Sequence, residues 1–426
     1  MRLNDFKLAA YKAAVNAKKR DANVRRRKIQ QQREESAQKH ALGKRAALQH
    51  PYLEIPPEMM LTRDYLSGVA GKRRYNVTYA DYFDFLAQDQ GDPKFTRIAD
   101  SVRNCHKHWY GEYYNMQQVF DVQNVLLCHS KFCSNCEHLK QASRLKRFTP
   151  VLAELTHDYD FYHLSVTVPN CPDFLLKTTI DKLLDAFTQL MRYFSGDAKL
   201  RGVDMRQYGY GGAVRCLECT VPADFHPHIH ALLLLKKDLP LYKTESNPYS
   251  YDRGVFKENF STLEIFIQKV VFLICNGQKV TKQAIEALPL GYSCKMNKVD
   301  GEDWKEVFKY VTKLTKDEGD DSAVLTYEQF KTLYFALFKR KVMQGYGILY
   351  KVAKNDEIDD EIEAMYYKIV ETLRLVENPI ETGYAIDELL VALMTGRITC
   401  ISKRTVQQYL NELAERERQK SEIFNP

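Results

Sequence analysis

Long hydrophobic runs are missing from this chain of 426 residues. No stretch reaches the roughly 18 apolar residues a membrane-crossing helix needs, so no transmembrane helix is expected. The opening residues MRLNDFKLAAYKAAV lack an apolar signal core and a small-residue cleavage site. The expectation is a cytoplasmic protein without membrane partners. Internal repeats are absent, and so are low-complexity tracts outside one basic segment. In a reducing compartment the 10 cysteines are expected as thiols or metal ligands rather than disulfides. Histidine is scarce too, with 11 in the chain.

What is present is uneven. The net charge of +7 sits at one end: residues 1–50 hold 14 Lys or Arg against 4 Asp or Glu, a net of +10, so the rest nets −3. KKRDANVRRRKIQQQR has few large apolar residues and many helix formers, which suits a solvated arm that meets phosphates. A merely solubilising tail has the same composition. From about residue 160 the pattern turns to strands. FYHLSVTVPN alternates, GGAVRCLECTV and HIHALLLL are strand-like, and DFLLKTTIDKLLDAFTQLMRYF between them has helical spacing. RYNVTYADYFDFLAQ reads as a short helix, and the chain after about 325 as nearly all helix. The implied class is α+β. Its expected divisions are a basic arm over 1–50, a Cys-rich region over 51–150, a sheet domain over 151–325 and a helical region over 326–426.

Three of the scarce histidines alternate in FHPHIHALLLL. On a strand, His226, His228 and His230 share one face. If residues 222–224 form the turn, Val221 pairs with Phe225 and Glu218 falls opposite His228. Opposed side chains stand about 4.5–5.5 Å apart at Cβ. Imidazoles and a carboxylate at that separation suit a divalent ion such as Mg²⁺ or Mn²⁺. The competing reading is a buried strand whose histidines are satisfied by hydrogen bonds. Cys216 and Cys219, three apart on a strand, face opposite sides and are no zinc pair. Cys128, Cys133 and Cys136 have plausible zinc spacing, with Cys105 as the fourth ligand and His129 or His138 as substitutes. Three buried thiols in a small core are the alternative. The basic helix HLKQASRLKRF follows, and its Arg144, Lys146 and Arg147 are suited to DNA phosphate.

An apolar strand (HLSVTV), then HIHALLL, then a helix carrying Glu306, Lys309, Tyr310 and Lys313 in E-x-x-K-Y-x-x-K order resemble the HUH endonucleases. The resemblance is to the replication initiators of small rolling-circle plasmids. It covers about residues 100–330, and FCSNCEHLK resembles the cysteine stretch before the family's first motif. It implies an antiparallel-sheet nuclease core with flanking helices, behind a Cys-rich zinc module. It also implies site-specific, metal-dependent nicking and strand transfer through a 5′-phosphotyrosine, leaving a 3′-OH primer. Tyr310 would be the nucleophile, with Glu306 one turn before it activating water to end the reaction. Lys309 and Lys313 would assist. Glu306, Tyr310 and Lys313 share a helix face by spacing. The family often uses only the second and third histidines as ligands, so His226 and Glu218 both remain available as the third. Partners so implied are origin DNA, a host helicase and a DNA polymerase.

Two other readings share these residues. One is an HUH transposase or relaxase. The other is a non-catalytic, zinc-containing DNA-binding regulator. In IDELLVALMTGRITCISKRTVQQYLNELAER, a helix, a break at Gly396 and a second helix capped by Ser402 resemble a helix-turn-helix with a recognition helix at 404–415.

Overall fold

Residues 53–221, 224–239, 243–251, 254–299, 325–352 and 360–403 are described in the computed structural model of the chain, and they mix helices with strands. Helices α1 (Arg63–Gln90) and α2 (Lys94–Arg103) lead into strands β1 (His108–Tyr114) and β2 (Val119–Val125). Helix α3 (Ser134–Leu155), strand β3 (Tyr159–Thr167) and helix α4 (Asp173–Ser195) follow. Next come β4 (Gly212–Thr220), β5 (His226–Lys236) and the hairpin β6 (Lys243–Tyr251) and β7 (Gly254–Ser261). Helices α5 (Thr262–Cys275) and α6 (Lys282–Ala287) precede β8 (Cys294–Val299). The rest alternates: α7 (Tyr327–Leu337), β9 (Met343–Gly347), α8 (Leu349–Val352), α9 (Asp360–Val376), β10 (Ile380–Ala385), α10 (Ile386–Met394) and β11 (Thr399–Ser402).

The chain forms two compact units, both discontinuous in sequence. Among the described residues, one combines 53–63, Trp109–Asn124 and 360–403. Its sheet has the order β10-β1-β2-β11, with β11 parallel to β2. Tyr366 on α9 donates a 2.7 Å hydrogen bond to the buried Asp121 carboxylate on β2. Burial drives that carboxyl upward, and the Tyr366 bond opposes the rise.

The other unit holds the five-stranded sheet β8-β3-β5-β4-β9, with every pairing antiparallel. Strand β5 is central and buried along nearly its whole length, as expected for a strand covered on both faces. Its odd residues Ile229, Ala231, Leu233 and Leu235 join the main core with α4 residues such as Leu183 and Phe187 and α5 residues such as Ile267 and Val271. Its even residues Leu232 and Leu234 pack instead with Phe148 and Leu152 of α3. The histidines continue that even row beyond the apolar pair.

Helix α1 is longer than the short helix its sequence suggests. Tyr65, Leu66, Val69, Tyr79, Phe83 and Leu86 are all buried along it, so packing rather than local propensity sets its length. The all-helical reading of 326–426 does not hold among the described residues, because β9, β10 and β11 interrupt it. Met343–Gly347 is a poor helix segment with glycines at 345 and 347, and it completes the sheet by pairing with β4 from Cys216↔Met343 to Gly212↔Gly347. Thr399–Ser402 pairs with Val119–Val122 and follows α10 as a strand, and the expected recognition helix at 404–415 lies outside the described residues. No described helix is long and apolar enough to cross a membrane.

Candidate functional site

Glu218 lies opposite His228 across β4 and β5, the pairing that counting back from a turn at 222–224 yields. The even parity of both strands puts Glu218, His228 and His230 on one face. Glu218 Oε2 is 3.1 Å from His228 Nε2 and 3.1 Å from His230 Nε2. The three ligand atoms all lie within 4.8 Å of one another, and the residues are only 5%, 8% and 9% exposed. Burial alone would raise the Glu218 carboxyl, but the hydrogen bonds and charges of His228 and His230 outweigh it and bring it down to about 2.

The donor set fits a divalent ion. An octahedral ion with ligands about 2.1 Å away separates neighbouring donors by about 3.0 Å, close to both Glu–His spacings. The nitrogens on the far side of the rings are also engaged. His228 Nδ1 faces the main-chain oxygen of His226 at 3.0 Å and donates to it, so Nε2 is the nitrogen that donates to Glu218 when protonated and that would ligate an ion taking that proton's place. His230 Nδ1 faces His163 Nε2 at 3.0 Å. The His226 ring lies beside that of His228, centroids 4.9 Å apart, but offers no atom to this group; its Nδ1 lies 3.5 Å from Thr220 Oγ1, and burial lowers its pKa.

His163 is a site residue that sequence reasoning passed over. A signal existed. Ser165 pairs with His230, so His163 shares its parity and its face.

The second cluster joins Cys105, Cys128, Cys133 and Cys136, whose sulfurs also lie within 4.8 Å of one another. Cys105 Sγ is 3.5 Å from both Cys133 and Cys136, and Cys128 Sγ is 3.6 Å from Cys136. A tetrahedral zinc with Zn–S bonds of about 2.3 Å has S···S edges of about 3.8 Å, so four thiolates at these separations fit zinc. Cys133 caps α3, and its sulfur accepts from the Cys136 amide at 3.5 Å. Asn76 of α1 braces the same point, donating to Cys133 Sγ at 3.2 Å and accepting from Ser134 N at 3.2 Å. Sequence reading did not single out Asn76. Its position among the buried residues of α1 was the available sign. His106 and His129, each directly after a cluster cysteine, hold left-handed backbone with φ of 57° and 53°. Such conformations persist only where the surroundings hold them.

Helix α3 spans from this cluster to the sheet face that carries the histidines. Its Arg144 stands one turn before Phe148, and its Nη1 is buried without a hydrogen-bond partner. Burial lowers the Arg144 pKa. Arg147 donates from Nε to the Ser143 carbonyl at 3.3 Å, and Lys146 falls on the same helix. Tyr310, Glu306, Lys309 and Lys313 lie outside the described residues.

Residues 119–249 match the model of a family described as replication proteins. The match spans β2 to β6, and so includes Glu218, His228, His230 and three of the four cluster cysteines. It supports a role as a replication initiator, a class of protein that acts on DNA. No curated protein and no solved structure matches the chain.

Proposed function

We propose that this protein initiates rolling-circle replication of a plasmid by nicking one DNA strand at the origin and holding its 5′ end covalently. The observation that carries the reading is Glu218, His228 and His230 gathered on one face of an antiparallel sheet, within a segment matched to replication proteins. A divalent ion held there, Mg²⁺ or Mn²⁺, would polarise the scissile phosphate and offset the charge that develops on it. Glu218 would supply the anionic oxygen ligand beside the two imidazoles.

Tyr310 supplies the nucleophile. Its Oη bonds to phosphorus as the P–O3′ bond breaks, the phenol's proton passes to the leaving O3′, and the strand keeps a free 3′-OH. A free phenol has a pKa of about 10, so Lys309 and Lys313, close to it in sequence, assist by favouring the phenolate. In the closing step Glu306 takes a proton from water. The water oxygen then attacks phosphorus and releases Tyr310 and a 5′-phosphate. The 3′-OH primes a host polymerase while a host helicase opens the duplex. The four-cysteine cluster holds a structural zinc that braces α3, and Arg147 of that helix meets DNA phosphate.

Single-stranded fragments tiling the plasmid, incubated with Mn²⁺ and separated on denaturing gels, test this. A covalent protein–DNA band that needs metal and disappears in Tyr310→Phe is expected. Binding without any adduct, on every fragment, would overturn it.

A further inference from the structure

We infer that His163 is a positioning residue for the metal site: it accepts the Nδ1 proton of His230 and so turns the Nε2 lone pair of His230 toward the ion. The inference rests on the metal-site reading above and adds a residue to it.

A histidine can ligate through Nε2 only when that nitrogen carries no proton, so its proton must sit on Nδ1. A buried Nδ1–H needs an acceptor, and the acceptor then fixes both tautomer and ring angle. The two histidines meet this need differently. His228 Nδ1 has the His226 carbonyl at 3.0 Å, a main-chain group that no substitution removes. His230 Nδ1 has His163 Nε2 at 3.0 Å, a side chain. Two ring nitrogens at that distance share one proton. If it belongs to His230, Nε2 of His230 is a bare lone pair 3.1 Å from Glu218 Oε2. If it belongs to His163, Nε2 of His230 carries the other proton and cannot ligate.

Ligation through Nε2 requires the first arrangement, and ring geometry and strand register hold the pair in place for it. The rings of His163 and His230 lie nearly parallel, 26° apart with centroids at 5.2 Å, so the contact restrains the ring plane as well as the proton. The strands keep the pair together: β3 and β5 are locked in antiparallel register from Tyr159↔Lys236 to Thr167↔His228.

The test is Mn²⁺ binding by the full-length, zinc-loaded protein, followed by the loss of the free-ion electron paramagnetic resonance signal. His228→Ala serves as the ligand control. His163→Phe keeps a flat ring without an acceptor and is expected to weaken Mn²⁺ about 10–100-fold, the range for lost outer-shell partners. His163→Gln offers a carbonyl oxygen and is expected to restore affinity to within about threefold of wild type. Equal affinity in His163→Phe and wild type would overturn the inference and leave the metal site standing, as would a Gln variant as weak as the Phe variant. Wild type that takes up no Mn²⁺ would overturn both. Should His163→Phe fail to fold, ¹⁵N spectra of the wild-type imidazoles decide the matter: a proton on His230 Nδ1 supports the assignment, and one on His163 Nε2 defeats it.

Discussion

Replacing Cys136 with alanine removes one corner of the four-sulfur cluster. Cys136 is 3.5 Å from Cys105 and 3.6 Å from Cys128, and its amide reaches the Cys133 sulfur, so it touches every other member. Three thiols do not close a tetrahedral structural site, and zinc binding by such sites is also folding energy. The loss is therefore placed among the exceptional ones, above about 4 kcal/mol. At about 2–4 °C per kcal/mol for a unit of 150–250 residues, the thermal midpoint falls by about 8–16 °C. The damage concentrates where the cluster caps α3. The far end of that helix keeps Phe148 and Leu152, both fully buried against Leu232 and Leu234. Cys275→Ala is the control, since Cys275 is a buried thiol outside the cluster. It should cost about 1 kcal/mol and leave metal content unchanged. Calorimetry paired with elemental analysis reads both quantities. One zinc per wild-type chain and none in Cys136→Ala are expected. Purified wild type without zinc, or a Cys136→Ala midpoint matching Cys275→Ala, would refute the reasoning.

Three further outcomes follow from particular contacts. Phe148→Ala empties a fully buried site on the histidine face of the sheet and should cost about 3–5 kcal/mol in chemical denaturation. Tyr366→Phe removes the donor to buried Asp121 and should cost about 1–3 kcal/mol at neutral pH. The Asp121 pKa is already raised by burial, and losing this bond raises it further, so the native state holds that proton more tightly. The destabilisation therefore shrinks as pH falls through the carboxylate range and grows as pH rises; a pH-independent loss would contradict this. Arg147→Ala should lower the slope of log affinity against log salt by about 1 if the arginine neutralises one phosphate. An unchanged slope in a fluorescence-anisotropy titration would remove Arg147 from the DNA-binding surface.

Much of the candidate site was legible because it is local. Glu218 and His228 are ten residues apart, joined by one tight connection, and period-two alternation carries the rest of the register. The same alternation explains why Leu232 and Leu234 lie in one cluster and Leu233 and Leu235 in another. His163 was harder to see. It comes from β3, 67 residues before His230, and nothing near it in sequence says which strand it will neighbour. Asn76 reaches its cysteine across 57 residues in the same way. The four-stranded sheet was not legible at all. Its β11 pairs with residues 280 positions earlier, and four residues of Thr-Cys-Ile-Ser carry too little periodicity to be set apart from the helix before them. β9 shows the same effect, with MQGYG taking its strand conformation from pairing with β4.

Glu218, His228 and His230 are proposed to form a metal-dependent centre for strand cleavage. The most direct measurement compares Mn²⁺-dependent nicking of a labelled origin oligonucleotide by wild type, Glu218→Ala and the double variant His228→Ala/His230→Ala. Matched far-ultraviolet circular dichroism shows whether the sheet is retained. The account predicts at least about 100-fold loss in both variants with folding intact, beyond the usual cost of losing an outer-shell partner. Folded variants that nick as fast as wild type, or wild-type nicking indifferent to the metal, would contradict it.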